Sequence, residues 1–356
     1  MNKRFLVNLC KYAVALTLLG VVIALNWKKG QDTGLWYQWN KHVIEGQPVP
    51  GPQYYVLALL ICLCCVLLTF VRWYILVRAV GLPFKISDAI RLGSVGYFFN
   101  TFMPGSVGGD ILKAAFLARE HHRRTVAVAT VIMDRVLSLW ALVWFVAIVG
   151  GVLWATGQLT NEETVKQSHL AVLAAAAFCA VSLAVWISVG FLGSERAERF
   201  ALRLHRLPKV GGSAAEFWRA VWMYRCQPRC VLIIMAMAFT GFFGFVSVFY
   251  LSVLTLHEPN QKIPTLAEHF LIIPIGLVFQ AFLPLPGGLG LGEAGFGALY
   301  DWMNCNGAAG VVGSLVQRSI NWILSSFGFL VYMRMKPALK KAVEEERELE
   351  AVEART

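Results

Sequence analysis

Two stretches decide the fold: Phe98-Phe99-Asn100-Thr101-Phe102-Met103-Pro104-Gly105-Ser106-Val107-Gly108-Gly109-Asp110, and Phe282-Leu283-Pro284-Leu285-Pro286-Gly287-Gly288-Leu289-Gly290-Leu291-Gly292-Glu293. Each is an apolar run cut by proline and glycine and closed by an acid. Proline ends an inbound helix by removing a donor, and glycine turns the chain through conformations other residues avoid. Broken backbone at membrane depth is tolerated only where protein or a watery cavity satisfies its polar groups. Both stretches therefore read as re-entrant hairpins whose tips meet at a cavity near the bilayer midplane.

The rest of the chain fits a membrane setting. Of 356 residues, 57% are hydrophobic and 15% charged, well below the roughly 25% charged of soluble domains; mean hydropathy is +0.60. The net charge of +11 is spread over short segments between apolar runs, with no basic domain or nucleic-acid motif, so nucleic acid is not an expected partner. Six runs approach the roughly 20 apolar residues a span needs: Phe5 to Trp27, Tyr54 to Val77, Val126 to Trp154, His169 to Leu192, Cys230 to Leu256 and Gly307 to Met333. The first has the charged and apolar parts of a signal peptide without a small-x-small cleavage site, and reads as an uncleaved span.

Basic residues set the expected orientation. Arg196, Arg199, Arg203, Arg206, Lys209, Arg219, Arg225 and Arg229 fill one loop, and Arg334, Lys336, Lys340 and Lys341 follow the last span. Both termini and the two ends of the first hairpin fall on the cytoplasmic side, and the second hairpin enters from outside; Lys28 and Lys29 weigh weakly against this. Cys62, Cys64, Cys65 and Cys179 lie in apolar runs, Cys10, Cys226 and Cys230 on the cytoplasmic side, and Cys305 alone near the outside, so no disulfide is expected. Cys226-x3-Cys230 lacks a second ligand pair for zinc, and His121-His122 reads as solvated. Neither a metal nor another cofactor is expected.

Sliding the sequence on itself until Asp110 meets Glu293 also superposes Phe99 on Phe282, Gly105 on Gly288, Gly109 on Gly292, Ala115 on Ala298 and Arg135 on Arg318; Pro104 and Pro286 fall one residue out of step. The expected fold is all-α and polytopic: about six spans and two re-entrant hairpins in a 3+3 inverted repeat. Residues 1–154 form the first repeat, with a cytoplasmic-side hairpin at 84–120. Residues 155–336 form the second, with an external-side hairpin at 265–305, and 337–356 a charged cytoplasmic tail. Within 195–207, arginines alternate with apolar residues at helical spacing, which suits a helix on anionic lipid or a solvated linker equally.

The candidate substrate-binding residues are Asn100, Gly108, Gly109, Asp110 and Arg135 in the first half and Gly288, Gly290, Glu293, Gln317 and Arg318 in the second. Each acid opens a short outgoing helix, where it can cap free amides, and such half-helix ends also suit an anionic headgroup. An acid at depth needs a partner, and Arg135 and Arg318 supply guanidiniums suited to carboxylate or phosphate. Gln280 and Asn321 are secondary candidates for the same cavity, and Arg72-Trp73 reads as an interfacial anchor.

The combination of Phe99-Asn100-x3-Pro104-Gly105-Ser106-Val107-Gly108-Gly109-Asp110, Asp134-Arg135 and Pro284-x-Pro286-Gly287-Gly288-Leu289-Gly290-x2-Glu293 resembles the flippase-like transmembrane family, which includes the membrane region of bifunctional lysylphosphatidylglycerol synthases. The resemblance runs from about Tyr54 to Met333; Asp134 stands where many members have glutamate. It implies translocation of a polar-headgroup lipid across the bacterial inner membrane: an aminoacylated or anionic phospholipid, a hopanoid or an isoprenoid-linked lipid. It does not bring synthase activity, because only about twenty residues follow the last span, where the bifunctional proteins attach an aminoacyl-transferase domain. The expected function is a non-enzymatic flippase or scramblase with membrane lipids as partners and a separate lipid-modifying enzyme as a further candidate partner. The alternatives are an intramembrane enzyme using Asp110 or Glu293 as general base and an ion-coupled small-solute transporter. No nucleotide-binding glycine loop is present.

Overall fold

The computed structural model describes residues 3–27, 34–102, 108–120, 124–157, 162–191, 193–206, 211–259, 261–282 and 288–353. Among these the regular structure is helical: α1 (Lys3–Asn26), α2 (Leu35–Trp39), α3 (Pro52–Ala79), α4 (Ile86–Phe102), α5 (Gly108–Glu120), α6 (Arg124–Ala155), α7 (Glu162–Gly190), α8 (Ser194–His205), α9 (Gly211–Arg225), α10 (Pro228–Thr255), α11 (Leu266–Phe282), α12 (Leu291–Trp302) and α13 (Gly307–Glu353). A π-helical turn, Asn40–Ile44, continues α2. Pro52–Ala79, Val126–Ala155, His169–Gly190 and Pro228–Thr255 are long and apolar enough to cross a bilayer, which makes the chain a multi-pass membrane protein. The part of α1 whose side chains are described, Cys10–Asn26, is apolar too, and in α13 the polar run Gln317-Arg318 with Asn321 interrupts the apolar sequence.

The local sequence explains where the long helices begin and end. Both α3 and α10 start with proline in the first turn, where its missing amide donor costs nothing. α3 stops at Gly81, whose φ of +77° closes the helix in the left-handed region. Among the described residues the most extensive contact is that of α3 on α10. There Ala58, Cys62, Val66 and Phe70 pack against Val248, with Ile320 and Leu324 of α13 completing the core.

The remaining contacts come in matched sets. α3 touches α4 as α10 touches α11; α4 and α5 pair as α11 and α12 do; α5 packs on α6 as α12 packs on α13. Across the middle, α4 leans on α13 and α11 on α6. α7 stands at the edge against α6, with Leu170, Leu173, Phe178, Val181 and Val185 all exposed, a face that acyl chains would cover in a bilayer. The predicted helix within 195–207 is present as α8, and it is folded back against a second helix, α9.

α1 reaches both hairpins. The Tyr12 hydroxyl donates to the Phe102 carbonyl at the end of α4, at 2.5 Å. One side of the same helix at Leu18 and Leu19 lies so close to Gly290 that a Cβ there would meet Leu18 Cβ at 2.6 Å. Tyr12 and Leu18 flank the midpoint of α1 and stand about 9 Å apart along a helix rising 1.5 Å per residue.

Candidate functional site

The inbound helices are helical as far as they are described, to Phe102 and Phe282. Residues 103–107 and 283–287, which include Gly105 and Pro286, lie outside the described residues. The outgoing helices bring each acid to its first turn.

In the first hairpin Asp110 is buried, 6% exposed. Its Oδ2 accepts from Arg135 Nε at 2.5 Å. Its Oδ1 accepts from Asn100 Nδ2 at 3.3 Å and lies 3.6 Å from Lys113 Nζ, one turn further along α5. Asn100 also caps α5, because its Oδ1 accepts from the Gly109 amide at 2.8 Å. The cap expected from Asp110 therefore comes from the neighbouring helix, and Asp110 itself is left to hold cations. The close approach that allows this needs glycine: a Cβ on Gly109 would overlap the Gly96 carbonyl of α4, and one on Gly96 would overlap the stem of Lys113. Gly108, at the first position of α5, is half-buried.

The second hairpin reaches a similar pair by a different local route. Glu293 is fully buried. Its Oε1 accepts from Arg318 Nε at 2.6 Å and lies 2.5 Å from the second guanidinium nitrogen; its Oε2 accepts from the Gly290 amide at 2.7 Å. Here the acid does cap its own helix. Gly288 and Gly290, at φ +68° and +82°, occupy the left-handed region that L side chains avoid. The α11–α12 pair is fastened further by the buried His269, whose Nε2 faces the Tyr300 hydroxyl at 2.5 Å; at the start of α11 itself, Glu268 closes a capping box with Thr265.

Asp110 to Arg135 and Glu293 to Arg318 are both separated by 25 residues, and the structure joins both pairs. Their surroundings differ. The Arg135 side chain is 52% exposed, whereas that of Arg318 is 10% exposed beside a Glu293 with no exposure. The Asn321 Oδ1 accepts from the Tyr97 hydroxyl of α4 at 2.9 Å. Gln317 is half-buried next to Arg318, and the side chain of Gln280 lies outside the described residues.

The assignment of Arg72 and Trp73 as interfacial anchors is overturned. Arg72 is 9% and Trp73 1% exposed. Arg72 grips Asp134 with two hydrogen bonds, Nε to Oδ1 at 2.9 Å and a terminal nitrogen to Oδ2 at 3.2 Å, the bidentate fit of guanidinium to carboxylate. Trp73 packs on Phe84 and carries Lys113 Nζ 5.5 Å from its ring centre, within cation–π range. Lys113 was also missed by sequence reasoning; its position three residues after Asp110 on the same short helix is the signal that could have found it.

Comparison with curated proteins gives no match. The model of the lysylphosphatidylglycerol synthase TM region matches residues 13–328, from α1 through both broken segments and past Arg318. With that span covering most of the chain and every element that builds the two ion pairs, the protein belongs to the lysylphosphatidylglycerol synthase TM region family.

Proposed function

We propose that this protein translocates a polar-headgroup lipid across the bacterial inner membrane as a flippase or scramblase, without catalysing a covalent step. The observation that carries the reading is the pair of buried carboxylate–arginine contacts, Asp110 with Arg135 and Glu293 with Arg318, each at the start of a short helix behind a broken segment. Half-helix starts and paired charges near the midplane are where transporters hold polar substrates. The contacts of α1 support that depth, because Tyr12 and Leu18 touch the two hairpins on either side of its midpoint.

In this reading six spans and two hairpins form a 3+3 inverted repeat with both termini in the cytoplasm, and the matched helix contacts follow from its pseudo-twofold axis. A headgroup passes from leaflet to leaflet between the hairpins while its acyl chains stay in the bilayer. Membrane lipids are the partners, with a separate lipid-modifying enzyme as supplier of the substrate. Asp110 or Glu293 is the candidate proton carrier.

The test uses purified protein in liposomes with fluorescent phosphatidylglycerol, a zwitterionic lipid and an isoprenoid-linked lipid, each quenched from outside. Quenching beyond the outer-leaflet fraction is expected for at least one of them. Failure of all three with folded protein, with and without a proton gradient, would remove the proposal. Equal rates with and without the gradient would remove the proton-coupling part alone.

A further inference from the structure

α8 and α9 form a short hairpin between two spans, and the way it is tied down sets it beside the bilayer. The α7 span, His169–Gly190, is about 33 Å long at 1.5 Å per residue, close to the roughly 30 Å of the hydrocarbon core. Gly190 therefore stands near the edge of that core, and residues 191–193 carry the start of α8 no farther than about 14 Å from it. α9 returns to the same level. Arg225, in its last turn, donates from Nε to the Trp186 carbonyl of α7 at 2.9 Å and lies 5.8 Å from the centre of that residue's ring; a Cβ on Gly190 would overlap its guanidinium. Pro228 then starts the α10 span. α9 packs on α6, α7 and α10, and α8 packs on α9.

The faces of α8 are sorted by chemistry. Ala197 and Ala201, one turn apart, are buried, and the Ala197 carbonyl accepts from the Trp218 indole of α9. Arg196, Arg199, Arg203 and Arg206 recur at intervals of three and four and are all exposed. That spacing puts them in one stripe, about 160° around the axis from the two alanines at 100° per residue. Phe200 borders the stripe on one side and Leu202 on the other, and both are exposed, although Phe200 also touches the Trp218 ring. Phe191, at the junction with α7, is exposed as well. Of the acids on α8, Glu198 is paired with Arg219 of α9, and Glu195 lies in the first turn, where it complements the helix dipole.

A basic stripe bordered by exposed apolar side chains, on a helix held at the edge of the hydrocarbon, has the make-up of a helix that lies in the headgroup layer. Guanidinium forks match phosphate oxygens, and a negatively charged bilayer surface attracts basic residues within a Debye length of it. An acidic protein would answer the charge but not the position of the helix within reach of the headgroups. We propose that the face of α8 turned away from α9 is a docking surface for anionic phospholipid, with Arg196, Arg199, Arg203 and Arg206 on headgroup phosphates and Phe200 and Leu202 set into the interface beside them. Segment 195–207 is then a lipid-bound helix and not a solvated linker. The proposal rests on the membrane setting alone and holds whether or not the protein translocates lipid.

The experiment is hydrogen–deuterium exchange of the full-length protein in nanodiscs of phosphatidylcholine alone or of an equal mixture with phosphatidylglycerol. The α8 amides are expected to exchange about threefold or more slower in the mixture. The difference should vanish near about 1 M salt, where the Debye length is about 3 Å; this arm needs no substitution and stands whatever the variants do. Replacing Arg196→Gln, Arg199→Gln and Arg203→Gln together should also abolish it, with the melting temperature in phosphatidylcholine discs unchanged because the stripe faces away from α9. Leu202→Gln should shrink it. Equal exchange of α8 in the two lipids, or a lipid difference that survives high salt or the folded triple variant, would overturn the proposal. Slowing by a poly-glutamate peptide in phosphatidylcholine discs, with none from phosphatidylglycerol, would overturn it too and give the stripe to an acidic protein.

Discussion

Arg135 and Arg318 hold their carboxylates at the same spacing but in different surroundings, and their substitutions should part accordingly. Arg318→Leu strands a fully buried Glu293; breaking such a pair typically costs about 3–5 kcal/mol. The expected result is a large fall in melting temperature and yield, read by thermal unfolding in detergent. Arg135→Leu leaves Asp110 with Asn100 and Lys113, and the variant should purify folded. Gly109→Ala drives a methyl into the Gly96 carbonyl, where backbone meets backbone and neither helix can yield cheaply; about 1–3 kcal/mol of destabilisation is expected from overpacking, and a melting temperature equal to the parent's would contradict the close approach of α4 and α5. At this scale the sequence was legible where spacing repeats: the two acids and their arginines could be paired by reading alone. Arg72 with Asp134 could not, because that contact depends on how α3 is rotated against α6, which neither hydropathy nor spacing encodes. Lys113 sits among Leu112, Ala114 and Ala115, and only the packing of α5 on α4 and α6, with the Trp73 ring beside it, shows that its charge is turned inward.

Helix ends were the best-read feature among the elements. Pro52 and Pro228 open their helices in the first turn, and Gly288 and Gly290 take the left-handed conformations that a glycine-rich turn leads one to expect. The arginine-rich segment between α7 and α10 was readable as one helix, but its folding back on α9 depends on single contacts: the Trp218 indole donates to the Ala197 carbonyl at 2.9 Å, and Arg219 pairs with Glu198. The Arg219 hydrogen bonds hold the Glu198 carboxyl below its ordinary value of 4.5. A lowered carboxyl stabilises the paired form fully above the ordinary value and stops doing so as pH falls through the lowered one. The α8–α9 contact should therefore be constant from pH 9 to about 5 and loosen only in stronger acid, an exposed pair contributing modestly beside the Trp218 bond. Pulsed electron resonance between spin labels at the exposed Leu202 and Phe217 would show it as a distance distribution that broadens only once the pH has fallen below the ordinary carboxyl value of 4.5; broadening near neutrality would contradict the assignment to Glu198.

For the whole molecule, composition and basic-residue placement were enough to put the chain in a membrane, and the family match agrees. Among the described residues four helices meet the length and apolarity of a span unaided. The last span is harder to read because its polar residues, Gln317, Arg318 and Asn321 in α13, lower its hydropathy. Which helices cross between halves, α4 to α13 and α6 to α11, lies beyond sequence reading, since those contacts join segments far apart in the chain. So does the bridging of both hairpins by α1. Together these contacts put one acid–arginine pair in each half and make one of them open.

The central claim is that a lipid headgroup passes the open pair. The measurement that tests it most directly is external quenching of fluorescent phosphatidylglycerol in liposomes carrying equal amounts of folded parent protein or Arg135→Leu. The account predicts inner-leaflet lipid becoming quenchable with the parent and a loss of about tenfold or more in that rate with the variant, the scale of one lost charge-assisted contact. Equal rates in the two preparations would contradict it.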